Sequence, residues 1–273
     1  TFAGYLAART GVRRPDVQRS GGRGVIGVIA RRELTSLFRS PLAWALLCVT
    51  QIVLAYRFLA QIELHLEFAE KLRAMPEPPG VSEIIVVPVL GAAALLLMFI
   101  VPVITMSAIS GERRAGSLAL LYSSPVATWQ IVAGKFVGCC GVLSVIWVII
   151  ALMPVTLLWG APLDLAMTAA GLFALGLLMT TYAAIGLMFS ALFAQPALAA
   201  IASFGVLAAM WSIDWASRLG HDAGVLADLS SLNHFQRLAS GLLDTVAIGY
   251  FVLITVTALC ITGWSLDGDR RAL

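Results

Sequence analysis

Asp, Glu, Lys, Arg and His are absent from residues 84–111, 136–163, 165–213 and 245–266, and this blocked distribution of charge constrains the fold more than any motif. A helix needs about 20 apolar residues to cross about 30 Å of hydrocarbon. The windows 84–111, 136–163 and 245–266 each fit one crossing. The 49 residues 165–213 are too long for one helix and suit two, divided at Gln195-Pro196 where a tight turn is expected. A first crossing from Pro41 to about Ile62 carries Gln51 inside and Arg57 near its far end, where the guanidinium can snorkel outward. The expected spans are therefore about 41–62, 86–108, 136–159, 165–194, 196–213 and 245–266. Composition agrees: 60% hydrophobic and 12% charged residues, with a mean hydropathy of +0.92, depart from the soluble norm of about one quarter charged and belong in a bilayer.

Six crossings place both termini on one side, and basic residues assign that side. Arg9, Arg13, Arg14, Arg19, Arg23, Arg31, Arg32 and Arg39 precede the first span against only Asp16 and Glu33. Arg113, Arg114 and Lys135 follow the second span, and Arg270 and Arg271 lie in the tail, 267–273. The 1–2 connection holds Glu63, Glu67, Glu70, Glu77 and Glu83 against Lys71 and Arg73, and the 5–6 connection is also mainly acidic. Both termini are expected to be cytoplasmic. Tryptophan favours the headgroup level, and in this scheme Trp44, Trp129 and Trp264 fall near the inner boundary and Trp159, Trp211 and Trp215 near the outer one. The N-terminus does not resemble a cleavable signal peptide, because its first apolar run follows an arginine-rich stretch.

Several chemistries are disfavoured. Cys48, Cys139, Cys140 and Cys260 lie in apolar windows without CxxC spacing and read as packing thiols. Gly111 and Gly116 give a GxxxxG spacing, but Ser117-Leu118 stand where a phosphate-binding loop needs Lys and Ser/Thr, so no nucleotide site is expected. Intramembrane hydrolysis needs a base or a metal at bilayer depth, and ion-coupled carriage needs buried ionisable groups; the windows contain neither. His65, His221 and His234 map to outer loops and do not suggest a ligand set, so no metal and no cofactor is expected in this chain.

After a basic segment at 1–23, residues 24–40 predict an amphipathic helix in the interface plane. Ile26, Ala30, Leu34, Leu37 and Phe38 form one face, and Arg31, Arg32, Glu33 and Ser36 the other. Ser40-Pro41 then turns the chain into the bilayer. A simple juxtamembrane basic anchor is the alternative.

Between the second and third spans the chain reads Glu112-Arg113-Arg114-Ala115-Gly116-Ser117-Leu118-Ala119-Leu120-Leu121, then Ser123-Ser124-Pro125-Val126, then Gly134-Lys135-Phe136. This resembles the ABC-2 permease pattern of an acidic-basic-Gly-small-Leu helix, a Ser-Pro turn and a Gly-Lys-Phe entry to the third span. Leu232, His234-Phe235, Gly241, Asp244 and Tyr250-Phe251, followed by a closing span and Arg270-Arg271, resemble the gliding-motility-type subgroup. The resemblance covers roughly residues 25–271.

It implies an all-α polytopic membrane subunit: six transmembrane helices, the N-terminal interfacial helix, and a cytoplasmic coupling helix over about 112–122. The partners implied are cytoplasmic ABC ATPase subunits, which would hold ATP and Mg, and a second permease subunit, identical or homologous. Nucleic acid is not among the partners. In the coupling helix Arg113 and Arg114 would pair with acidic residues of the ATPase, and Gly116 and Ser117 would permit close approach. Leu118, Leu120 and Leu121 would anchor the helix, and Ser123 and Pro125 would end it. An ordinary positively charged inner loop is the competing reading. Lys135 is taken as a topology charge in preference to a further contact, and Gly134, Gly138 and Gly141 as a weak helix-packing signal at a bundle or dimer seam. The outer connection, about 214–244, carries His234, Phe235, Gly241 and Asp244 and suits a helix that either gates an exit, meets an extracytoplasmic partner, or merely covers the bundle.

The function implied is the permease subunit of an ATP-binding-cassette exporter. A force-transmitting scaffold acting on an extracytoplasmic protein and a stand-alone channel or carrier are the alternatives. The substrate is not readable.

Overall fold

The computed structural model describes residues 23–73, 80–116, 126–159, 163–218, 230–242 and 244–272. Among these no strand occurs. The helices are α1 Arg23–Arg39, α2 Pro41–Arg73, α3 Val87–Thr105, α4 Ser110–Arg114, α5 Thr128–Leu157, α6 Leu165–Leu192, α7 Pro196–Arg218, α8 Ser231–Ala239 and α9 Thr245–Ala272. A five-residue π-helical turn, Ser82–Val86, leads into α3. Six helical stretches among the described residues are long and apolar enough to cross a membrane: Pro41–Phe68, Ser82–Arg114, Thr128–Leu157, Leu165–Leu192, Pro196–Ile213 and Thr245–Arg271. The chain is an all-α, multi-pass membrane protein.

Proline and polar caps set the helix starts. Pro41 opens α2 directly after the Ser40 turn, because a first-turn residue needs no intrahelical N–H bond. Asp164 caps α6 by accepting from the backbone N–H groups of Ala166 and Met167 at 2.9 and 3.1 Å. Ser230 caps α8 through the Asn233 N–H at 3.3 Å. Where the π-helical turn disturbs the ladder, the Gln61 side-chain amide donates to the Ile84 carbonyl at 2.9 Å.

Several elements run past the limits expected from charge. α2 continues to Arg73 through Glu63 and Glu67, and α5 begins eight residues before 136, at Thr128. The tail expected at 267–273 is instead helical to Ala272, as the end of α9. Charge marks where hydrocarbon ends, whereas a helix persists as long as its backbone ladder does.

The core is built on α6 and α3. The most apolar stretch of each is 61% and 56% buried inside the protein, against 22% or less for the first, fifth and sixth spans. α6 supplies small residues along its packed face, including Ala170, Gly171, Ala174, Ala183, Ala184 and Gly186. Small side chains let helix backbones approach where lipid offers no hydrophobic drive to associate. A Cβ on Gly171 would lie 2.6 Å from Leu90 Cδ1, and one on Gly186 only 2.0 Å from Thr105 Oγ1. These two contacts, about four turns apart, fix α6 against α3. The outer faces show Ile52, Tyr56 and Leu59 of α2, Ile201 of α7 and Leu253 of α9, all exposed as a lipid-facing surface requires.

Gly186→Ala should therefore force the α6–α3 contact apart and destabilise the protein by about 1–3 kcal/mol, the usual cost of overpacking. Gly205→Ala, where a Cβ meets nothing within 4 Å, should be neutral or stabilising. Thermal unfolding of both variants in the same detergent checks the contrast.

Candidate functional site

The second span is broken near one end, and the break organises everything around it. α3 stops at Thr105, residues 106–109 form turns, and α4 resumes at Ser110. Pro102 lies inside α3 and offers no N–H, so the ladder is already weakened one turn earlier. Backbone groups freed inside a bundle must find other partners. Ser190 of α6, fully buried, accepts from the N–H groups of Ile109 and Ser110 at 3.0 and 3.1 Å and donates to the Met106 carbonyl at 2.9 Å. Lys135 of α5 donates its ammonium to the Ala108 carbonyl.

Lys135 is the charged centre of the site. It is 1% exposed, and its Nζ lies 3.0 Å from Glu112 Oε2 of α4 and 3.5 Å from Glu33 Oε2 of α1. One ammonium thus joins three separate elements, and its Coulombic attraction is strengthened by exclusion of water. Burial pushes the Glu33 carboxyl above its ordinary range, the Lys135 charge pulls it back, and the Glu112 charge raises it again.

Glu33 reaches Lys135 because α1 lies in a groove of glycines on α5. A Cβ on Gly134 would fall 2.8 Å from Ile29 Cβ, one on Gly138 2.7 Å from Glu33 Cβ, and one on Gly141 2.7 Å from Leu34 Cδ2. The glycine run expected to serve a bundle or dimer seam is therefore the seat of α1 within the same chain. Glu33 does not belong to the polar face on which Arg31, Arg32 and Ser36 were placed. It follows Ile26, Ile29 and Ala30 at helical spacing and shares their buried stripe. Lys135, read from sequence as a topology charge, is instead an internal ion-pair centre.

A second set of contacts holds α4 and the start of α5 to the last turns of α9. Arg113 pairs with Asp269, Thr128 at the start of α5 hydrogen-bonds Asp267, and the Arg270 guanidinium donates to the Val126 carbonyl at 3.1 Å. The Arg113 and Asp269 side chains keep 26% and 38% of their exposure, so solvent screens this pair and it acts as a positional tie more than a source of stability. Arg114 is exposed. Gly116 takes φ +73°, a left-handed conformation that ends α4 and that other residues rarely adopt. Of the other expected coupling residues, Ser117, Leu118, Leu120, Leu121, Ser123 and Pro125 lie outside the described residues.

The remaining expected residues fall elsewhere. Arg31 and Arg32 are exposed on α1, Leu34 packs on Gly141, and the Phe38 and Trp44 rings sit 6.1 Å apart. At the opposite end of the bundle, Phe235 is buried in the core and His234 stacks on Tyr250 with ring centroids 4.3 Å apart. Gly241 has φ +89°, and Asp244 caps α9 through the Val246 N–H at 3.0 Å, with Arg237 at 3.8 Å. α8 also buries Leu238 and Ala239, and residues 219–229 of the expected outer connection lie outside the described residues.

Asp267 and Asp269 carried no expectation from sequence. The one available signal was the placement of Lys135 between Gly134 and Gly138, a cation on a face stripped for close packing. Residues 27–236 match the family model described as ABC-2 family transporter protein. No curated protein matches the chain.

Lys135→Met should cost about 3 kcal/mol, because it leaves two carboxylates in a low-dielectric site without a cation. Glu33→Gln added to that variant should recover part of the loss. Alone, Glu33→Gln should alter the pH dependence. The raised carboxyl binds its proton more tightly when folded, so its contribution is complete below its ordinary value of 4.5 and declines as pH rises through the raised value. Melting temperature measured across pH 4–8 should show a flatter profile for Glu33→Gln than for the unaltered protein.

Proposed function

This chain belongs to the ABC-2 transporter family and is a membrane subunit of an ABC transporter; on that premise we propose that α4 and the residues after it receive force from separate cytoplasmic ATPases. In this reading ATP and Mg are held by the partner chains, two permease subunits form the membrane unit, and substrate moves outward. The N-terminus and the α4 end of the bundle face the cytoplasm of a bacterial cell. Membership of the gliding-motility-type subgroup is part of the same proposal and rests on the motif between Leu232 and Phe251.

The observation that carries the reading is the break at 106–109. A continuous helix would pass an applied load mainly along its own axis. A break bridged by side chains of other helices spreads that load sideways. Movement of α4 acts on α6 through Ser190, on α5 and α1 through Lys135 and its two carboxylates, and on α9 through Arg113 and Asp269. Arg114, exposed beside this network, is the cation best placed to meet an acidic partner surface. Arg113 has a prior partner in Asp269 and serves the internal tie.

A second reading has its own support. The hydroxyls of Thr105, Thr180, Thr255 and Thr262 donate to backbone carbonyls three or four residues earlier in their own helices. Hydroxyls so engaged are poorly suited to bind a polar cargo. The subunit could then transmit force to an extracytoplasmic protein instead of carrying a substrate. The stand-alone channel loses ground because the buried charge of its spans, Lys135, is committed to Glu112, Glu33 and the Ala108 carbonyl.

Coexpression with the cognate ATPase should yield a stable complex. Arg114→Glu should reduce ATPase recovery about tenfold without changing the melting temperature, as expected for a charge reversal at an interface. Lys135→Met should keep the ATPase bound while separating ATP hydrolysis from movement. ATP hydrolysis by the chain alone, or labelling of a cysteine at position 114 only from outside the cell, would overturn the proposal.

A further inference from the structure

We infer that α1 carries a binding site for the phosphate headgroups of anionic phospholipids, built from Arg31, Arg32 and Arg39. The three arginines line an open recess of about 550 Å³ together with Val28, Thr35 and Ser36. Spacings of three and four residues put all six on one face of the helix. That face lies opposite the one that seats Ile29 and Glu33 on α5.

Charge makes the recess one-sided. Glu33 is the sole acidic residue of α1, and Lys135 holds it on the far side of the helix, 3.5 Å away. No α1 carboxylate therefore competes for the three guanidinium groups. The Thr35 hydroxyl commits its proton to the Arg31 carbonyl at 2.8 Å and offers a phosphate no donor, while the Ser36 hydroxyl stands exposed on the recess. Planar guanidinium forks match phosphate oxygens in a way that a loose positive field does not.

Depth favours a lipid over an acidic protein. α1 ends at Arg39, and Pro41 begins the first membrane span. Just inside that span, the Trp44 indole N–H donates to the Phe38 carbonyl at 2.8 Å while the ring stays 56% exposed, the placement of a headgroup-level anchor. The Phe38 carbonyl that takes the indole N–H is next in sequence to Arg39, so the C-terminal edge of the recess adjoins this anchor and lipid headgroups are the expected neighbours of its guanidinium groups. The inference stands independently of how the subunit engages an ATPase.

The full chain, purified in detergent, is titrated with dioleoyl phosphatidylglycerol or dioleoyl phosphatidylcholine and examined by native mass spectrometry. The triple variant Arg31→Gln/Arg32→Gln/Arg39→Gln should lose affinity for the anionic lipid by about fivefold per arginine, since each basic residue near a charged surface contributes at that scale. Binding of the zwitterionic lipid should not change. A charge-matched control, Arg9→Gln/Arg13→Gln/Arg14→Gln, should retain phosphatidylglycerol, and millimolar inorganic phosphate should not displace it. A photoreactive side chain at position 35 in the otherwise unaltered chain, illuminated in native membranes, should crosslink to lipid, which keeps the result readable if the triple variant does not fold. Undiminished phosphatidylglycerol binding by the triple variant would overturn the inference. So would equal losses in both variants, displacement by phosphate alone, or crosslinking to protein in place of lipid.

Discussion

One ammonium group, buried where a helix comes apart, is the point on which the arrangement at this end of the protein depends. Lys135 meets the Ala108 carbonyl released by the break in the second span, together with Glu112 and Glu33 from two other elements. Removing water from a lysine is costly unless opposite charge and hydrogen-bond acceptors replace the lost hydration. The two carboxylates and the carbonyl do so, which obliges α1, α4 and α5 to stay together. Position here is dictated by the expense of leaving any member of the set alone.

That requirement could not be met without close packing elsewhere. Gly134, Gly138 and Gly141 remove the side chains that would hold α1 away from α5, and without this approach Glu33 would not reach the ammonium. Gly186 does the same for Thr105, and Ser190 lies four residues further along α6, where it satisfies three groups of the break. In a bilayer the helices gain little by hiding apolar surface from one another, so small residues and buried hydrogen bonds decide which faces meet. The broken span and the glycine-lined faces are two aspects of one solution.

The consequence is a bundle whose two ends differ. The end with α4 is stitched by ionic and hydrogen-bonded ties that solvent and charge can modulate. The opposite end is closed by α8, which buries Phe235, Leu238 and Ala239 in the apolar core and stacks His234 on Tyr250. A tied end and a packed end give this membrane subunit two mechanically different halves.

Much of this was legible in the chain itself, and the limit has a physical cause. Hydropathy is additive along a helix, so the charge-free windows sufficed for five crossings, including the Gln195-Pro196 division, and the apolar run from Pro41 with its one arginine for the sixth. A dense local motif, Glu112 to Val126, sufficed for family resemblance. Contacts between helices are not additive in that way. That Lys135 turns inward, that Glu33 leaves the polar face of α1, and that Arg113 joins Asp269 across 156 residues all depend on which faces meet in three dimensions. The same composition of glycines and charges would allow other seams. Sequence determined what enters the membrane and how often; tertiary structure decided which charges are neutralised inside it, because only packing brings a distant carboxylate within reach of a buried ammonium.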